Sequence, residues 1–239
     1  MAVAQVATTQ FAETPLGHRF ALRAPLARVT ARKCAECASD IFSHAAAEVD
    51  AVDLGQVLDV CAESTASVIL VGELLVGSFR AALAECSRDE RVVVLNCAGR
   101  GIHSFLPKTE APFDALRNEG RVFDLEWRDD GAFAIDVPEL LQALAWAVGH
   151  VAVGRPVIVN CAQGKSRSGT AATAYVMATR NLGAADALKL VRERRPFVQP
   201  NPGFLVQLAA MQDVVRGSLC NARDDGASLS ARTPSVRQG

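Results

Sequence analysis

The chain has 239 residues, 50% of them apolar, with 25 Lys and Arg against 26 Asp and Glu. That length supports one domain with a sizeable core plus tails. A net charge of −1 gives no global field for nucleic acid or an anionic membrane, and no apolar run approaches the ~20 residues of a membrane helix, so stable membrane insertion is not expected.

Residues 1–33 carry Arg19, Arg23, Arg28, Arg32 and Lys33 against one acid, Glu13. The balance reads as an unstructured basic leader, with a mitochondrial presequence as the alternative. Cys34-Ala-Glu-Cys37 has the spacing of half a zinc site, but nothing supplies a second Cys/His pair, so no metal is expected. Seven cysteines, an odd count with no secretory signal before them, argue for a reducing compartment rather than a disulfide framework. Residues 34–65 are weakly helical, which makes 1–65 an N-terminal extension, partly disordered or helical.

Residues 67–71 (SVILV) predict a strand and 76–84 a helix. A second strand is expected over 91–95 (RVVVL), then a turn-rich loop over 96–101. Residues 121–127 alternate, with Phe123, Leu125 and Trp127 on one face, and predict a third strand. Apolar residues at helical spacing predict a helix over 136–151, capped by Asp136 with Pro138 in its first turn. Residues 157–159 read as a buried strand, and 168–179, 184–194 and 202–215 as helices. From Gly217 the hydrophobic content falls away, predicting a disordered tail over 217–239. The expected fold is α/β: a central, mostly parallel twisted sheet flanked by helices, in a domain spanning 66–216. Ligands in such sheets sit at the carboxyl ends of the strands, where loops 96–101, 128–133 and 161–167 should meet.

Residues 157–178 read VIVNCAQGKSRSGTAATAYVMA: a strand, a polar loop and an Ala-rich helix. Gly164-Lys165-Ser166 invites a nucleotide loop, but that motif needs a glycine five residues before Gly164, and Val159 stands there. Cys161, five residues, Arg167 and Ser168 make a different set. Between strand and helix, the sulfur sits in the positive potential of the helix N-terminus. Backbone N–H groups of Ala162, Gln163, Gly164, Lys165 and Ser166 can converge on one anion. Both effects lower the thiol pKa and favour the nucleophilic thiolate. Arg167 can grip two phosphoryl oxygens through its planar fork. Ser168 can donate to the sulfur. The bland alternative is a buried Cys in a β–α turn beside a surface Arg.

Cys161-(five residues)-Arg167-Ser168 resembles the signature of the cysteine-based protein tyrosine phosphatases, and Ser after Arg looks like the dual-specificity branch, atypical type. Val92-Val93-Val94-Leu95-Asn96 followed by Gly99-Arg100 is similar to that branch's second conserved strand and loop. Ala174-Tyr175-Val176-Met177 resembles its next helix. Val191-Arg192-Glu193-Arg194-Arg195-Pro196 and Pro200-Asn201-Pro202-Gly203-Phe204 resemble its closing segment. The resemblance covers residues 66–216.

The resemblance implies a metal-independent, cofactor-free phosphatase acting on phosphotyrosine and phosphoserine/threonine of proteins through a phosphocysteine. It also implies a general acid at a strand end about thirty residues before the Cys. Asp129, with Phe133 as anchor, matches that spacing, and continued strand phasing puts it on the side of Trp127; Asp130 is the alternative. Asn201 matches a position that orders the active loop, and it can also cap the helix at Pro202.

The chain departs from the family at three points. Asn160 stands where the family has His before the Cys; it can position the loop by hydrogen bonds but adds no charge, so the Cys161 pKa should fall less than with His. Lys165 inside the loop resembles phosphoinositide phosphatases, which makes a lipid substrate the second choice. Cys97 should neighbour Cys161, where a protective disulfide or a plain buried small residue are both open. A catalytically weak phospho-binding protein is the third alternative. His18, His44, His103 and His150 show no pairing pattern and are taken as structural or surface. The expected address is cytoplasmic, or mitochondrial if the leader is a presequence.

Overall fold

Hydrophobic runs on β4, β5 and β7 set the architecture. In the computed structural model, residues 65–104, 109–216 and 218–219 are described, with backbone alone at 10–13, 19–22 and 104. Five strands form the main sheet: β3 (Ser67–Leu70), β4 (Leu74–Ser78), β5 (Val93–Asn96), β6 (Val122–Asp124) and β7 (Val157–Cys161), in the order β3-β4-β7-β5-β6. β3 pairs antiparallel with β4, and the other neighbours are parallel. Every residue of β5 and β7 is buried, as expected for parallel strands covered on both faces. The mostly parallel sheet flanked by helices is the architecture the sequence predicts. Separately, β1 (Gln10–Glu13) and β2 (Arg19–Leu22) pair antiparallel, where disorder or helix was expected. The leader, the presequence alternative and Cys34/Cys37 otherwise fall outside the described residues.

Among the described residues, six α-helices complete the unit: α1 (Phe79–Arg88), α2 (Glu110–Asn118), α3 (Val137–Ala152), α4 (Arg167–Arg180), α5 (Ala184–Arg194) and α6 (Pro202–Arg216). α4 is buried continuously from Ser168 to Ala178, and its small side chains let β4, β7, α5 and α6 close around it. Among the described residues no helix is long and apolar enough to cross a membrane.

Several boundaries differ from the sequence expectation. Residues 74–78, partly assigned to a helix, form β4; α1 begins only after Ser78, whose hydroxyl caps it by accepting from the Ala81 N–H at 3.2 Å. The Leu-Leu-Val run favours an extended, largely buried strand there, and the helical pattern starts later. α2 was not foreseen, because Pro112 sits in its first turn and only Phe113 and Leu116 mark a buried face. β6 is shorter than the predicted 121–127. Leu125 N–H still donates to Asn96 at 2.8 Å, but Trp127 N–H turns back onto Leu125 at 2.9 Å, curling the chain off the sheet. Strand phasing therefore does not reach Asp129. Packing also runs past 216: Leu219 joins the core and Ser218 is buried, so the expected tail does not begin at 217.

Candidate active site

Cys161 closes β7 at the carboxyl edge of the sheet and is 2% exposed. The chain then turns through 162–166 into α4, whose first residue is Arg167. Gly164 makes this turn with φ +72°, and a Cβ there would sit 2.5 Å from the Gly77 carbonyl carbon, so only glycine fits between loop and β4. The loop carbonyls face outward onto other groups. Gly164 O accepts from Arg195 Nε at 2.9 Å, and Lys165 O accepts from Gln199 N–H at 3.1 Å. With these carbonyls held back, the Lys165 and Ser168 amides act on the sulfur.

Burial is the largest influence on the Cys161 thiol and acts upward. The Arg167 charge, the Ser168 hydroxyl and the Ser168 and Lys165 amides act downward, and the net result lies below the ordinary thiol value. Ser168 Oγ stands 3.3 Å from the sulfur. Arg167 Nη1 donates to Trp127 O at 3.1 Å, while its buried Nε makes no hydrogen bond among the described residues; Asp129 Oδ2 is 3.7 Å from it. That nitrogen is a donor in search of an anionic oxygen.

Asp129 reaches the same place although it lies on no strand. Its Oδ1 accepts from Ser166 Oγ at 2.6 Å and from Asn201 Nδ2 at 3.1 Å. Asp130 instead serves the turn, its Oδ1 accepting from Ala132 N–H at 2.9 Å. Asn201 makes two further contacts: Oδ1 caps α6 by accepting from Phe204 N–H at 2.9 Å, and its own N–H donates to Ser166 Oγ at 3.2 Å. Asp129, Cys161, Ala162, Gln163, Lys165, Ser166, Arg167 and Asn201 line one cleft of about 540 Å³. Gly164 shapes the loop from behind, and Ser168 touches the sulfur from below.

Residues 132–214 match the model of the family described as "Dual specificity phosphatase, catalytic domain". This matched segment is similar to a dual-specificity phosphatase catalytic domain. The chain is 31% identical over 131 residues to the tyrosine-protein phosphatase pmp1 of Schizosaccharomyces pombe, covering 52% of this chain and 46% of that one. It is 39% identical over 70 residues to human dual specificity phosphatase 28, covering 29% and 40%. The chain thus spans less than half the length of these two curated relatives. The crystal structure of DUSP15 superposes with a TM-score of 0.52 at 23% identity, over 64% of this chain and 94% of that one. At that identity the likeness shows the fold. Asp129 lies just before the matched segment, so its place at the site rests on the geometry alone.

Two features of this domain lie beneath the loop. Asn160, fully buried, donates from Nδ2 to Asn96 Oδ1 at 3.3 Å, while its Oδ1 has no hydrogen-bond partner among the described residues. Asn96 in turn donates to Asp124 at 2.7 Å, and Arg117 holds Asp124 through two contacts of 2.7 and 2.9 Å. The residue replacing the family's His is thus the end of a chain of polar groups anchored on an ion pair. Cys97 is fully buried, and burial pushes its thiol well above the usual range; Cys161 is near enough to act on it electrostatically. Both are free thiols.

Arg195 is a site residue that sequence reasoning did not single out. It is 1% exposed, and besides Gly164 O it donates to Ser67 Oγ at 3.1 Å and to Gln163 O at 3.5 Å. The run Arg192-Glu193-Arg194-Arg195 carries no signal for which arginine turns inward.

Proposed function

We propose that this domain hydrolyses phosphoric monoesters on phosphotyrosine and phosphoserine/threonine of proteins through a phosphocysteine intermediate. The Cys161 thiolate attacks phosphorus in line with the leaving oxygen, forming the S–P bond as the P–O bond breaks. The loop amides and Arg167 hold the three non-bridging oxygens as charge spreads over them. Asp129 gives its proton to the departing alkoxide or phenoxide. As a carboxylate it then takes a proton from water, which attacks phosphorus and breaks the S–P bond. Ser168 steadies the departing thiolate, which leaves free phosphate and the starting enzyme.

The observation that supports this most is one cleft holding three things. They are a buried thiol kept below its ordinary pKa, an arginine with an open buried Nε, and a carboxylate hydrogen-bonded to the loop serine. The test is hydrolysis of an aryl phosphate and of phosphotyrosine and phosphothreonine peptides by wild type and Cys161→Ser. Turnover by wild type, with the variant inert but still binding phosphopeptide, is the expected result. A wild type as inert as Cys161→Ser, both binding peptide, would make the domain a phospho-binding module.

A phosphoinositide substrate is the second reading, favoured by Lys165 on the cleft wall. A similar fold occurs in PTPMT1, solved in complex with PI(5)P, at a TM-score of 0.52 and 19% identity over 66% of this chain and 98% of that one. Including phosphoinositides in the substrate panel separates the two. Thiolate chemistry needs a reducing compartment, which the cytoplasm supplies; the basic segment 1–33 keeps the mitochondrion as the alternative address.

A further inference from the structure

The segment between β6 and α3, residues 125–136, contains neither helix nor strand, yet it carries Asp129. Its backbone groups need partners from elsewhere. α6 provides them through one side chain. Gln207 Oε1 accepts from Ile135 N–H at 2.7 Å, and Gln207 Nε2 donates to Phe133 O at 2.8 Å and to Gly203 O at 3.1 Å. One amide thus ties two points of the loop to the first turns of a helix. Neighbours on the same helix add contacts. Gly203 lies against Gly131 so closely that a Cβ on it would overlap the Gly131 carbonyl. The Phe204 ring meets Phe133 edge-on and Trp127 at a tilt.

From these contacts we propose that Gln207 is a positioning residue for proton transfer: it fixes the loop that places Asp129 above the phosphate cradle. The inference rests on the general-acid role proposed for Asp129. Among the described residues no hydrogen bond joins Gln207 to Asp129, Cys161 or Arg167, so it acts through the loop backbone. Loss of the clasp leaves the nucleophile and the cradle intact and lets the acid drift. An ångström of drift is enough to remove much of what a general acid supplies.

The experiment measures kcat/KM for aryl phosphates whose leaving phenols run from strongly to weakly acidic, using wild type, Asp129→Asn, Gln207→Leu and Gln207→Glu. A strongly acidic phenol leaves without help, whereas a weakly acidic one needs the proton. Wild type should show a shallow dependence on phenol acidity and Asp129→Asn a steep one. Gln207→Leu should also be steep, losing about 10- to 100-fold on the weakest acid and little on the strongest. Gln207→Glu still accepts from Ile135 N–H but cannot donate to Phe133 O, and its slope should fall between. It carries the test if the Leu variant does not fold. A wild-type slope in both Gln207 variants, or an equal loss across the series, overturns the proposal. A shallow slope in Asp129→Asn overturns the role of Asp129 itself, and the inference with it; that outcome is visible in the Asp129 variant alone.

Discussion

The loop after Cys161 and the loop that carries Asp129 line one cleft but are held in different ways. Residues 161–167 are fixed by what flanks them: β7 in the centre of the sheet before, α4 in the centre of the helices after. Residues 125–136 have no regular structure, and their hydrogen bonds to Gln207 come from 72 and 74 residues further along the chain. The first loop shares the stability of the core; the second depends on docking to α6. Damage to the first should remove the chemistry for every substrate, and damage to the second should remove help to the leaving group alone.

The largest expected effect breaks the first loop. Arg167→Lys replaces a planar fork by a point charge, and kcat/KM should fall about 10²–10³-fold, equally for strongly and weakly acidic phenols. A loss confined to weakly acidic phenols would mean that Arg167 works on the acid, not on phosphate. Next is Gly203→Ala, whose methyl overlaps the Gly131 carbonyl and pushes the acid loop off α6. It should cost about 10²-fold on a weakly acidic phenol and only a few-fold on a strongly acidic one. Equal losses on both would show that the two loops move as one body.

Ser168→Ala separates thiolate formation from the leaving group. Without that hydroxyl the Cys161 pKa rises, so the acid limb of kcat/KM against pH moves upward. Near the foot of the limb the rate should fall about 10-fold. At higher pH kcat should fall more than kcat/KM, because the thiolate leaves less readily in the second step. An unmoved acid limb would remove Ser168 from the group that lowers the thiol pKa. The smallest effect is at Asn160→His. An added positive charge beneath the loop should lower the Cys161 pKa further and move the limb to lower pH, changing the rate at neutral pH by less than about 3-fold. Thiolate titration that finds no difference from wild type would show that the polar chain through Asn96 and Asp124 already does what the His would.

The sequence was most legible where function is contiguous. Cys161, Arg167, Ser168 and the five residues between lie in one stretch, and strand, loop and helix could be read from their periodicity. Asp129 lines the cleft, but strand phasing is not what brings it there, since β6 ends at Asp124 and the chain curls before Asp129. Asp130 was its alternative because a one-residue choice in an irregular loop leaves no periodic trace. Gln207 and Arg195 left no signal at all: one looks like any polar residue on a helix face, the other like any member of a basic run.

The sequence by itself determined the strand, loop and helix around Cys161 and Arg167 and the alternation of strands and helices, because those follow from backbone geometry over a few residues. The tertiary structure decided what stands around them. Sheet register brings Asn160, Asn96 and Asp124 side by side at the ends of β7, β5 and β6, so that a residue expected to weaken the site becomes part of a hydrogen-bonded row. Packing against the start of α6 and the loop after Cys161 brings Asp129, not Asp130, onto the cleft. Both are contacts between segments far apart in the chain, and only packing selects them.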